Sequence, residues 1–153
     1  MRALKVTTMP SLALPFQILI AEDNPADIGL VREALQTHGI DCTLHIATDG
    51  AAAIEFINRL DRNTKSPMLD LVLADMHLPK RGGEEILKTL RSSERFGLVP
   101  VVIMTGAVSQ ITEEYALKFA ALHVFQKPST LDAFLGLGAV IGRILQAQMD
   151  RSR

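Results

Sequence analysis

The stretch "FQILIAEDNPADIGLVREALQTHG", residues 16–39, decides how the rest of the chain is read. Its first six residues are apolar except for Gln17, and they end abruptly in two carboxylates, Glu22 and Asp23. A nearly continuous apolar run of this length suits a strand covered on both faces, as in a parallel sheet sandwiched by helices. Asn24 then offers a helix cap, Pro25 suits the first helical position, and Ile28, Val31 and Leu35 recur along one face as far as Gly39. The unit is therefore a strand, a helix, and acidic residues at the joint between them.

The same unit repeats down the chain. Apolar runs stand at "TLHIA" (43–47), "LDLVLA" (69–74), "VPVVIM" (99–104) and "LHVFQ" (122–126). Helical periodicity separates them: Ala53, Phe56, Ile57 and Leu60 mark a second helix, Ile86, Leu87 and Leu90 a third, and a fourth falls near 110–120. Ser129 with Asp132 predicts a capping box for a last helix that continues to about Met149. Five alternations of strand and helix predict an α/β fold, a doubly wound five-stranded parallel sheet in the order 2-1-3-4-5 with helices on both faces. The second run alternates more than the others, as an edge strand does.

The totals agree with one such domain. A chain of 153 residues, about half of them apolar, can bury a sufficient core. We place that domain at 16–149, between a flexible amino-terminal arm over 1–15 and a short tail over 150–153. Arg2 and Lys5 before "SLALPFQILIA" imitate a secretory signal, but Pro15 and Gln17 interrupt it, and cleavage near Ala21 would delete the first strand. No stretch approaches the roughly 18 apolar residues of a membrane span. Sixteen basic against seventeen acidic residues, with no basic run, argue against a nucleic-acid or anionic-membrane binder. The single cysteine, Cys42, reads as a small buried hydrophobe in a reducing, cytoplasmic compartment.

In doubly wound sheets the ligand crevice lies beyond the carboxyl ends of the strands, where the winding reverses. The predicted strands deliver Glu22 and Asp23, then Asp75, Thr105 and Lys127 to that one edge. Several ionised carboxylates close together repel and call for a cation, and hard oxygen ligands suit Mg²⁺. A hydroxyl and an ammonium complete a pocket for a tetrahedral dianion. Asp75 reads as the nucleophile of a phosphoryl transfer, with the metal on Asp23 and Asp75, Glu22 acting through water, and the His77 backbone carbonyl as a further oxygen. Lys127 would pair with the phosphoryl oxygens and Thr105 would hydrogen-bond one of them. Taken singly, each residue also has an ordinary reading as a helix-end charge, a turn residue or a solvated lysine. His38, His45, His77 and His123 lack the spacing of side-chain metal ligands.

These residues resemble the receiver domain of two-component response regulators, of the single-domain chemotaxis-regulator type. "ILIAEDNPAD" is similar to the family's acidic-pair motif, "LVLADMHLPKRGG" to its phosphoacceptor strand and loop, "PVVIMTGA" to its switch-hydroxyl strand, and "FQKPST" to its lysine-proline motif. "EDNPADIGLVREAL" with "KPSTLDAFL" further resembles stand-alone regulators paired with bacterial phytochrome histidine kinases. The resemblance implies a flavodoxin-like receiver fold, Mg²⁺, phosphotransfer from a kinase histidine, a cis peptide at Lys127–Pro128 and movement of Thr105. It also implies no enzyme activity beyond self-phosphorylation and self-dephosphorylation. One departure stands out. The aromatic expected three residues before the lysine is Val124, with Phe125 beside it, which puts an aromatic-flip output in doubt.

With no attached output module expected, the signal would pass to an unidentified downstream protein. In the last helix Leu131, Phe134, Leu135, Ile141 and Leu145 form a stripe for the sheet, with Gly138 and Gly142 allowing close approach. Leu137, Val140 and Ile144 form a second stripe, which predicts a homodimer through the fourth helix, fifth strand and fifth helix. Two rivals carry other chemistry. A haloacid-dehalogenase-type phosphatase wants an acid two residues after the nucleophile, where this chain has His77. A phosphorylation-independent adaptor of the same fold has no use for Thr105 and Lys127.

Overall fold

The computed structural model describes residues 1–6 and 14–151. The sheet contains β1 (Arg2–Val6), β2 (Phe16–Ala21), β3 (Cys42–Ala47), β4 (Leu71–Asp75), β5 (Val101–Thr105) and β6 (His123–Gln126). The helices are α1 (Pro25–Thr37), α2 (Gly50–Arg62), α3 (Gly83–Ser92), α4 (Gln110–Lys118), α5 (Leu131–Leu135) and α6 (Leu137–Arg151). The order β1-β3-β2-β4-β5-β6 contains the expected doubly wound arrangement, with all neighbours parallel from β3 to β6. The winding reverses between β2 and β4, which opens the crevice there.

Alternate residues of each strand enter two separate cores, as the period of two requires. Ile18, Ile20, Leu71, Leu73, Val102 and Met104 meet α1, α5 and α6 on one face. Leu19, Ala21, Val72, Val101 and Ile103 meet α2, α3 and α4 on the other. α1 begins as predicted, with the Asn24 side chain accepting from the Ala26 amide at 2.9 Å and Pro25 at the first position. It ends at Gly39, whose φ of 65° lets the amides of Gly39 and Ile40 reach the carbonyls of Gln36 and Leu35.

Several expectations are corrected. The sheet has six strands, because Arg2–Val6 pairs antiparallel with β3 where a flexible arm over 1–15 was expected. The linking residues 7–13 lie outside the described residues. Leu4 and Val6 pack into the α1 core while Ala3 and Lys5, on the other face, are exposed, so residues 3–6 alternate as an edge strand should. β3 is therefore covered and is not itself an edge. Its half-buried residues Thr43 and His45 lie on one face, and Cys42, Leu44 and Ile46 are buried on the other. Burial, reinforced by Asp41, pushes the Cys42 thiol up to about 12, so it is inert.

The last helix also differs. Its cap is Thr130, which accepts from the Ala133 amide at 3.3 Å, and not Ser129. A tight turn at Gly136 divides it into α5 and α6, and α6 runs on to Arg151. Gly136 keeps helical φ and ψ of −59° and −20°, and the buried stripe runs on through it as Phe134, Leu137, Gly138, Ile141 and Leu145: Leu137 is fully buried in the core, and Leu131, at the exposed first position, is not. Gly138 does allow close approach, since a Cβ there would lie 2.5 Å from the Ala34 carbonyl of α1, whereas Gly142 has nothing nearer than Ile40 at 4.0 Å. No peptide bond among the described residues is cis, so Lys127–Pro128 is trans, the ordinary state of such bonds.

Candidate functional site

The crevice between β2 and β4 gathers four of the residues singled out from the sequence. Glu22 follows β2 and is fully buried; Asp75 ends β4 and is almost buried; Asp23 is exposed at the rim. Each can offer one oxygen, and these three oxygens lie within 4.8 Å of one another. Lys127, just after β6, reaches across two strands into the same space. Its amide is fixed by a 2.7 Å hydrogen bond to the Thr105 carbonyl, which extends the β5–β6 pairing by one step.

The Lys127 ammonium donates to three carboxylates: Glu22 Oε1 in a very short bond, Asp27 Oδ2 at 2.9 Å and Asp75 Oδ2 at 3.2 Å. The other oxygen of Asp75, Oδ1, accepts the His77 amide at 2.9 Å. Glu22 Oε2 accepts the amide of Asp23 at 3.1 Å. The nucleophile candidate is thus held from two sides by donors on different loops.

Asp27 was not singled out by sequence reasoning. Helical side chains lean toward the amino terminus of their helix, so an acid in the first turn of α1 leans back over the crevice. The acid at the third position of α1, after the Asn24 cap, was the available signal.

The charges do not balance, with four carboxylates around one ammonium. Burial first, then hydrogen bonding and repulsion from Asp75, push Glu22 up to about 8 against the pull of Lys127. Burial also raises Asp75, but the Glu22 hydrogen bond, the His77 amide and Lys127 outweigh it and hold this carboxyl below its ordinary value. Lys127 is disfavoured by burial, yet Asp27 and Glu22 raise it well above a free lysine. The raised Glu22 value reflects the positive charge that the cluster lacks, and a hard divalent cation on the same oxygens would supply it. The residues present therefore fit Mg²⁺ or Mn²⁺, with Glu22, Asp23 and Asp75 as the oxygen donors.

Two expected members stand differently. Thr105 is buried, and its hydroxyl donates its proton to the Ala107 carbonyl at 2.9 Å, within its own loop. His77 is exposed and contributes its amide to Asp75. Val124 packs half-buried on the α2–α4 face, while Phe125 faces the other core, edge-on to Phe134 with ring centroids 5.4 Å apart. The period of two therefore keeps Phe125 from standing in for an aromatic at position 124.

An acidic trio and a lysine thus meet at the reversal point of a doubly wound α/β sheet. Residues 18–137 match the family model of the response regulator receiver domain, and the chain belongs to this family. It is 40% identical over 91 residues to the response regulator Rcp1 of Synechocystis sp., a match covering 60% of this chain and 62% of that relative, about six-tenths of its length. Among solved structures, the phosphorylated cyanobacterial phytochrome response regulator RcpA has a TM-score of 0.77 at 23% identity, over 88% of this chain and 96% of that one; it shares the fold. The Mn²⁺-bound form of Rcp1 has a TM-score of 0.72 at 31% identity, over 83% and 91%. No helix among the described residues is long and apolar enough to cross a membrane.

Proposed function

We propose that this chain accepts a phosphoryl group on Asp75 from the phosphohistidine of a sensor kinase and transmits its signal through protein contacts. One Asp75 carboxylate oxygen forms a bond to phosphorus as the P–N bond to the kinase imidazole breaks. The imidazole keeps the electron pair and takes up a proton, and the aspartate becomes an acyl phosphate. Lys127 balances the incoming negative charge, and Thr105 receives one phosphoryl oxygen after its hydroxyl leaves Ala107. A divalent cation on Glu22, Asp23, Asp75 and the His77 carbonyl would neutralise the phosphoryl oxygens when bound.

The observation that carries this reading is the Lys127 ammonium held 3.2 Å from a nearly buried Asp75 whose second oxygen is already fixed by the His77 amide. A lysine merely solvated on the surface would not be drawn into such a cluster. The likeness, at 26% identity, to a bacteriophytochrome response regulator supports a phytochrome-type sensor as the kinase. The homodimer across α4, β6 and α6 now rests on Val140 and Ile144, which line a surface groove with Leu122, since Leu137 belongs to the core. Its sedimentation mass is the test.

The phosphoacceptor reading is tested by incubating the chain with acetyl phosphate and Mg²⁺ and reading intact mass. One added phosphoryl group on the wild type and none on Asp75→Asn is expected. Label on both moves the acceptor elsewhere, and label on neither leaves the adaptor reading.

A further inference from the structure

We infer that Asp27 is a positioning residue that occupies the Lys127 hydrogen-bond donor needed by the arriving phosphoryl group, so that its release limits how readily Asp75 is phosphorylated. This deepens the phosphoacceptor reading and rests on it. An ammonium has three N–H donors and no more. In this structure they are directed to Glu22, Asp27 and Asp75, so none is left for a phosphoryl oxygen.

One of the three bonds must therefore open. Glu22 has a fully buried side chain, and without the ammonium its oxygen would be stranded away from water. Asp75 is the reacting group itself, and its side chain is only 8% exposed. Asp27 is 18% exposed and sits in the first turn of α1, where water can take over its lone pairs. It is the member that lets go at least cost. Until it does, its charge also repels a group that brings roughly two negative charges of its own. Both effects have the same sign: Asp27 steadies Lys127 at rest and resists phosphorylation.

The test follows phosphoryl incorporation with time on the full chain, using acetyl phosphate and Mg²⁺ as the probe. The donor's P–O bond breaks, acetate leaves with the electron pair, and phosphorus passes to Asp75. Asp27→Ala should label on the order of fivefold faster than wild type, the size of one partly exposed charged hydrogen bond no longer competed for. Asp27→Asn should fall between them, and Asp27→Glu should return to the wild-type rate. Urea midpoints establish that each variant is folded, and Asp27→Asn carries the test if Asp27→Ala is not.

A spectroscopic readout separates positioning from a structural role. The ¹⁵N resonance of the Lys127 ammonium should already be displaced in unlabelled Asp27→Ala, and should move in wild type only on labelling. A folded Asp27→Ala that labels at the wild-type rate or slower, while wild type labels on Asp75, overturns this inference alone. No label on wild type overturns it together with the phosphoacceptor reading.

Discussion

The backbone of Gly50 lies directly against the carbonyl of Arg81: a Cβ at position 50 would sit 1.8 Å from that oxygen. The loop that follows Asp75 is seated on the amino terminus of α2. The amides of Gly50 and Ala51 donate to the carbonyls of Pro79 at 3.1 Å and Lys80 at 2.8 Å, while Lys80 and Arg81 hold φ values of 48° and 70°. These are amides that no bond within the helix could use, and they here hold the loop whose His77 amide fixes Asp75.

Gly50→Ala therefore forces backbone against backbone, which no side-chain rotation relieves. It should destabilise the fold by about 1–3 kcal/mol, more than the roughly 1 kcal/mol that alanine gains in helix propensity. Labelling of Asp75 should fall with it, because the loop must move. Urea unfolding and the phosphoryl assay read both; an unchanged or raised urea midpoint would mean that the loop is not seated in this way.

Lys127→Met leaves a carboxylate cluster with no internal cation. In the presence of a chelator it should lose about 3 kcal/mol of stability, the usual size for a buried ion pair that loses one partner. Excess Mg²⁺ should return part of that loss, by more than it stabilises wild type. A midpoint insensitive to Mg²⁺ in both proteins would argue against a cation on these oxygens.

Asp23 is exposed, so Asp23→Asn removes an oxygen charge without disturbing a core. Affinity for Mn²⁺, read by electron paramagnetic resonance, should drop at least about tenfold. Stability without metal should hold or rise, because one like charge has gone. Equal affinity in the two proteins would remove Asp23 from the ligand set.

His45 provides a pH signature remote from this cluster. Its Nε2 lies 2.7 Å from Gln17 Oε1, and burial lowers its affinity for a proton below the ordinary value near 6.5. The unfolded chain then binds the proton more readily than the folded one. The stability His45 contributes is present above about 6.5 and is lost as pH falls through the lowered folded value. Urea midpoints should decline between neutral and mildly acidic pH, and His45→Gln should flatten that decline. An equal slope in the variant would assign the pH dependence to other groups.

Strand ends were the legible part. Once Ala21, Ala74 and Met104 are taken as the last apolar residues of their runs, Glu22, Asp75 and Thr105 must follow at the carboxyl edge. What escaped depended on contacts between distant segments. "RALKV" is too short and too charged to read as a strand until the edge of β3 is available to it. The helical period alone places Leu131 and Leu137 at opposite flanks of the Phe134–Ile141–Leu145 stripe, and only the packing against α1 decides that Leu137 is the buried one and Leu131, in the first turn, is exposed. Asp27 reads locally as a helix-start acid, and only the reach of Lys127 across β5 and β4 brings the two together. The Thr105 hydroxyl was expected over the site, and a backbone carbonyl two residues on holds it instead.

The most direct measurement converts the modification into a residue that can be located. Borohydride reduction of an aspartyl phosphate yields homoserine in its place, which peptide mass spectrometry can assign to a position. After treatment with acetyl phosphate and Mg²⁺, the account predicts homoserine at position 75 in wild type and in no peptide of Asp75→Asn. Homoserine at any other aspartate, or none in a wild-type sample that is folded and metal-loaded, would contradict it.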